Sequence, residues 1–321
     1  MSHAIAPALY NTDLAGEFDT HPHLLQLLQR IRKLTHHYVN EATLCDRLED
    51  LSTQFECPTL RPWGAIDWRS VHSNQLIGMD RDAFCALLLG TINTEAPIRG
   101  YTQSSRQYLE TLYPTMARFV GGQVDNAGNL VEIGLWEREE KRHTPALAKL
   151  YTLLSGHKPE IVPHAARPYQ PATNAREALY RHGLHRVATE YGAACLYLWM
   201  MVHTTGALQA VLAELLVDEV NHMTKFWGFG MWAYPESSLI KIGQTLSKAM
   251  LRKFRYRDTQ GSLLHTLHRM QNELAWNQWS PLNRLTFLYT FDQVIKILWR
   301  WHHICLTPNY LDSLFGKRSE G

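Results

Sequence analysis

The 321 residues lack the marks of several protein classes. Cysteines are few and scattered, at Cys45, Cys57, Cys85, Cys195 and Cys305, with no Cys-x-x-Cys pair. That argues against a disulfide framework or a cysteine-based zinc site, and for free thiols in a reducing, cytoplasmic compartment. The formal net charge is only +2, too small to argue for a nucleic-acid partner. The N-terminus has no basic region followed by an apolar stretch, so no signal peptide is expected. The longest apolar run, residues 193–217, is broken by Gly206 and carries Glu214, with Glu190 and Glu219 on its flanks. It reads as two buried helices and a short turn, not a membrane span. No strand-rich region is evident, so the expected class is all-α.

What the chain does carry is a repeated Glu-x-x-His, at Glu140/His143 and Glu219/His222, both in helical patterns. Residues three apart on a helix point to one side, so each pair offers a carboxylate and an imidazole to a common centre. Lone glutamates stand at Glu95 and Glu190, giving the order Glu, Glu-x-x-His, Glu, Glu-x-x-His. Each gap suits one helix plus a connection. This is the ligand arrangement of a carboxylate-rich di-metal site in a ferritin-like four-helix bundle. The plain alternative is ordinary surface groups. Carboxylates in segments as apolar as those around Glu190 and Glu219 are costly unless paired or metal-bound, which favours the metal reading.

Glu139 and Asp218 each precede a motif glutamate and are placed to reach the histidine of the opposite pair. A ligating histidine donates its second ring N–H to such a group, which sets its tautomer. Mixed carboxylate and imidazole ligands suit two iron ions, or a manganese–iron pair, better than zinc.

The chain divides into an N-terminal helical extension (1–60), the metal-binding bundle (61–235) and C-terminal helices packed on it (236–321), forming one domain overall. His21, His23, His36 and His37 read as solvent-facing or capping residues, and Pro62-Trp63-Gly64 as a loop. Asp80 or Asp82 caps the first ligand helix, which Pro97 bends just after Glu95. The later bundle helices are expected over 136–154, 175–202 and 207–227, the end of the last marked by Gly228, Gly230 and Pro235. Trp199, Met200 and Met201 read as core packing in preference to a substrate channel.

The stretch Trp136-Glu137-Arg138-Glu139-Glu140-Lys141-Arg142-His143 resembles the Trp-x-x-Glu-Glu-Asn-Arg-His helix of the soluble acyl-[acyl-carrier-protein] desaturases, members of the ferritin-like di-iron oxidase superfamily. Thr94-Glu95-Ala96-Pro97 and Asp218-Glu219-Val220-Asn221-His222 are similar to that family's other ligand segments. The likeness covers roughly residues 75–230. It implies iron ligation by Glu95, Glu140, His143, Glu190, Glu219 and His222, and O2-dependent oxidation or desaturation of an aliphatic or acyl substrate. It further implies an acyl carrier protein, a ferredoxin-type electron donor and a homodimer. The family's threonine three residues after the third ligand is replaced by Ala193, followed by Ala194, so proton delivery at the oxygen site is expected to differ. The enzymatic alternative is a di-iron N-oxygenase or hydroxylase of a small metabolite. Some related arylamine N-oxygenases add a histidine one turn before the last glutamate; Leu215 holds that place and weighs against them. A ferritin-like metal store is the non-enzymatic alternative, disfavoured by chain length. Lys248, Arg252, Lys253 and Arg255 form a basic run suited to acidic partners, with a solvated helix face as its plain reading.

Overall fold

The computed structural model describes residues 22–317 apart from 163–165, 167, 238–271 and 273. The basic run Lys248, Arg252, Lys253 and Arg255 lies outside the described residues, as do His21 and much of the 236–321 region.

The described chain is all-α, apart from one short hairpin. In order come α1 (Pro22–Tyr38), α2 (Glu41–Glu56), α3 (Arg81–Glu95), α4 (Ile98–Leu109) and α5 (Pro114–Gly121). The antiparallel pair β1 (Gln123–Val124) and β2 (Leu130–Glu132) follows. Then come α6 (Leu135–Glu140), α7 (His143–Ser155), α8 (Ala175–Val202), α9 (Gly206–Ala233), α10 (Pro281–Cys305) and α11 (Pro308–Phe315). Among the described residues no helix is long and apolar enough to cross a membrane.

Local chemistry sets the helix ends. Asp80, not Asp82, accepts from Ala83 N at 2.8 Å and starts α3. Asn174 does the same for α8 through Glu177 N at 2.9 Å. Arg30 of α1 donates to the carbonyls of Val202 and Thr204 at 2.8 and 2.7 Å, satisfying oxygens that the end of α8 leaves without partners. Gly206, at φ +58°, then turns the chain so that α8 and α9 pack as an antiparallel hairpin. The second close pair is α3 with α7.

Two helix boundaries differ from expectation. The segment expected as one helix over 136–154 is interrupted at Lys141–Arg142, between Glu140 and His143. Pro145 has no N–H for the Lys141 carbonyl and its ring crowds that oxygen, so the ladder breaks there. In contrast, α9 runs through Gly228 and Gly230 to Ala233. A Cβ on Gly228 would lie 2.4 Å from Leu48 Cδ1, so this glycine admits the close approach of α2 instead of ending the helix.

The described part of the N-terminal extension is no appendage. Leu27 and Ile31 of α1 and Leu44 and Leu48 of α2 are fully buried in the main core with Trp199, Met200, Met201 and Leu215. Trp199 donates to Thr286 Oγ1 at 3.0 Å and stacks on Trp279, facing α10 as a core residue. Asp50 of α2 pairs with the buried Lys225 of α9 at 2.8 Å.

Candidate metal centre

Five helices deliver the six residues singled out by spacing, α6 and α7 being the two halves of one broken segment. Glu95 is the last residue of α3, Glu140 ends α6 and His143 begins α7. Glu190 lies midway along α8, with Glu219 and His222 one turn apart on α9. They converge as two groups, Glu95, Glu140, His143 and Glu219, and Glu140, Glu190, Glu219 and His222. In each, the candidate ligand atoms lie within 4.8 Å of one another. Glu140 and Glu219 belong to both groups, and one histidine terminates each.

Both imidazoles present Nδ1 to the carboxylates. His143 Nδ1 lies 3.2 Å from Glu140 Oε2 and 3.1 Å from Glu219 Oε1. His222 Nδ1 lies 2.7 Å from Glu140 Oε1 and 3.8 Å from Glu190 Oε2. Neither Nδ1 atom, nor Glu219 Oε1, makes a well-formed hydrogen bond, although all three are fully buried. The other ring nitrogens are fixed: His143 Nε2 meets Asp218 Oδ2 at 3.3 Å, and His222 Nε2 meets Glu139 Oε2 at 2.9 Å. With Nε2–H donating outwards, each neutral ring turns a lone pair towards carboxylate oxygens. Acceptors facing acceptors at these distances need protons or cations between them.

The electrostatics carry the same message. Burial first, and Glu140 next, push the Glu95 and Glu190 carboxyls up to about 7. The same two causes push Glu219 well above the usual carboxylate range. Burial would also raise Glu140, but His143 and His222 together hold it below that range. Burial would lower both histidines, yet their carboxylate neighbours push them well above the ordinary imidazole value. A metal-free centre at neutral pH therefore retains protons that a bound cation would displace.

Residues outside the Glu-x-x-His pattern complete the surroundings. The extended segment after α2 lies over the acids that partner the histidines. Arg61 Nε donates to Asp218 Oδ1 at 2.7 Å, and its backbone N–H to Glu139 Oε1 at 3.2 Å. The Trp63 indole donates to Asp218 Oδ2 at 2.9 Å, and Arg142 Nη2 to the same oxygen at 2.8 Å. The stretch read only as a loop thus braces the centre, with nothing in its local sequence to announce it. The buried Trp136 indole donates to Glu140 Oε1 at 3.0 Å, and the buried Tyr197 hydroxyl to Glu95 Oε1 at 3.1 Å. Tyr197 stands seven residues after Glu190, two turns along the same face, a signal that could have found it. Ala193 is half-buried and Ala194 buried, about one turn beyond Glu190 on α8.

Asp218→Asn is expected to weaken metal binding 10- to 100-fold, about the usual cost of losing the acid that orients a ligating histidine. Competition with a chelator measures it. Parent-like affinity would show that Asp218 does not position His143.

No family model, curated protein or solved structure matches the chain.

Proposed function

We propose that the protein is an oxygen-dependent di-metal oxidase with a ferritin-like bundle, in which α3, the broken α6–α7 segment, α8 and α9 supply the four ligand-bearing legs. The observation that carries the reading is the sharing of Glu140 and Glu219 by two adjacent donor groups, each ended by one imidazole. The fully buried Nδ1 atoms of His143 and His222, turned towards carboxylates without hydrogen-bond geometry, fit metal ligation. Glu95, Glu140, His143, Glu190, Glu219 and His222 would hold two iron ions, with a manganese–iron pair accommodated by the same donors. When bound, such a pair supplies the reduction of O2 and the oxidising power to remove hydrogen from an unactivated C–H bond.

The surrounding residues orient these ligands and shield them. Asp218 and Glu139 hold the two imidazoles, Trp136 holds Glu140, and Tyr197 holds Glu95. Shielding is uneven: the Glu95 side chain is 13% exposed against 3% for Glu140. The Glu95 side is thus the side from which O2 and an aliphatic or acyl chain would approach. Ala193 carries no hydroxyl. Among the described hydrogen bonds, the hydroxyl that donates to one of the six residues is that of Tyr197, to Glu95 Oε1. Leu215 is fully buried in the core, so the place of a seventh ligand is filled by packing. An acyl carrier protein and a ferredoxin-type donor are the proposed macromolecular partners, met by the basic run Lys248 to Arg255.

The test is aerobic turnover of iron-loaded protein with a chemical reductant, fatty-acyl substrates and isotopically labelled O2. Desaturation gives product lighter by two hydrogens, and hydroxylation gives product carrying labelled oxygen. Either product should vanish in Glu140→Ala. Iron uptake into mineral, in a large shell of subunits and without substrate oxidation, would instead establish a metal store.

A further inference from the structure

We propose that α10 is a self-pairing surface, on which a second copy of this chain packs its own α10 antiparallel across a two-fold axis at Asp292. One face of the helix packs into the core: Phe287, Thr290, Val294, Leu298 and Trp301 are buried. The opposite face is apolar as well. Leu285, Leu288, Ile295 and Trp299 are 39 to 58% exposed. With Asp292 between them they recur at alternating spacings of three and four residues, forming one seam about 21 Å long. A seam of large apolar side chains left in water marks a protein contact.

The order of residues names the occupant. Outward from Asp292 the seam repeats in both directions, with an apolar side chain at three or four residues and another at seven. An antiparallel second copy centred there sets Leu288 against Ile295 and Leu285 against Trp299, each contact occurring twice. Such an isologous contact closes a dimer. Shape agrees with the pattern. Beside Ile295 and Trp299 lies a groove of about 500 Å³, lined also by Ile297 of α10 and by Thr35 and His36 of α1. Leu285 and Leu288, at the other end of the seam, are the ridge that each copy lays into the groove of its partner. Two neighbouring helices of 17 and 25 residues are about 25 and 37 Å long. Their joint face, each helix about 10 Å wide, is on the scale of the roughly 800 Å² per partner that stable interfaces bury. Charge sets the register. Asp292 accepts from Lys296 Nζ at 2.7 Å and from Gln293 Nε2 at 2.9 Å, so its carboxylate is answered within its own helix. A slip of one turn would lay that carboxylate on Leu288 or Ile295 of the other copy, an unpaired charge against apolar carbon. A single polar residue in an apolar seam fixes the alignment in this way.

The pairing bears on the metal centre through α8. Tyr191, next to Glu190, donates to the Phe291 carbonyl of α10 at 2.8 Å, and Trp199 donates to Thr286 Oγ1 at 3.0 Å. A second copy against the outer face of α10 therefore steadies the helix that backs Glu190 and Tyr197. The inference itself rests on no property of the metal centre, and it stands whether or not the protein is an oxidase.

Sedimentation equilibrium of the full-length protein at about 10 μM should give twice the 37.0 kDa mass of one chain. Leu288→Lys and Ile295→Glu should each weaken association at least about 100-fold, because each sets two charges against apolar carbon. Both side chains are exposed, so far-ultraviolet circular dichroism should stay that of the parent. Mixed in equal amounts, the two variants should recover the dimer. Antiparallel pairing then joins the new cation to the new anion at one contact and keeps Leu288 against Ile295 at the other, which parallel pairing does not. The proposal is overturned if the parent sediments as a single chain, which would leave residues 238–271 or a different protein as the occupant of the seam. It is equally overturned if both variants remain dimeric, or if their mixture stays monomeric.

Discussion

Glu140→Ala is expected to strip metal from both positions at once, taking the protein from about two irons per chain to near zero. Its carboxylate belongs to both donor groups, and both histidines approach it, His222 Nδ1 at 2.7 Å and His143 Nδ1 at 3.2 Å. Glu219→Ala should behave alike, because Glu219 is the other shared residue. Glu95 and Glu190 each serve one group, so Glu95→Ala and Glu190→Ala should retain roughly one metal. Elemental analysis after anaerobic iron loading and desalting reads the contrast, with far-ultraviolet circular dichroism to confirm that helices persist. Equal retention in Glu140→Ala and Glu95→Ala would sink the shared-ligand arrangement. Parent-like content in both would sink the centre itself.

The metal-free protein should lose stability as pH rises from about 5.5 to 8. Glu95 and Glu190 hold their protons up to about 7 when folded, against about 4.5 for an ordinary glutamate. A carboxyl raised on folding costs stability above its unfolded value, and the cost is complete above its folded one. His143 and His222 are raised as well. Their contribution is full below the ordinary histidine value and is lost as pH climbs through the folded one. The signs agree across this window. Glu140 and Asp218, whose carboxyls are lowered, change the balance only at more acidic pH. A bound cation replaces the displaced protons, so affinity should rise over the same range. The melting temperature of the metal-free protein should fall by about 3 °C, the effect of roughly 2 kcal/mol in a chain of this size. The gap between loaded and metal-free protein should widen correspondingly. A gap that is constant or narrows with pH would show that these carboxyls do not give up protons to a metal.

Legibility in the sequence followed the range of the interaction. Glu140 with His143, and Glu219 with His222, announce themselves because the helical period is local. A cap at Asp80 or Asp82 and the turn at Gly206 are equally local, and the structure selects Asp80. Helix boundaries that local pattern misplaces depend on a partner distant in sequence or on a proline. Gly228 looks like a stop signal in isolation, yet it accommodates Leu48 from a helix far earlier in the chain. Pro145 divides a segment that hydrophobic pattern alone makes continuous.

By itself the sequence determined an all-helical chain, the six residues with ligand chemistry and the two acids beside them, because residue type and a 3.6-residue period are properties of a segment. The crossed pairing of Asp218 with His143 and Glu139 with His222 was legible as well. Only the tertiary structure decided that Glu140 and Glu219 belong to both groups, and that Arg61, Trp63 and Tyr197 join the centre. Those are contacts between separate elements, and their distances are set by how closely the helices pack, which no single segment encodes.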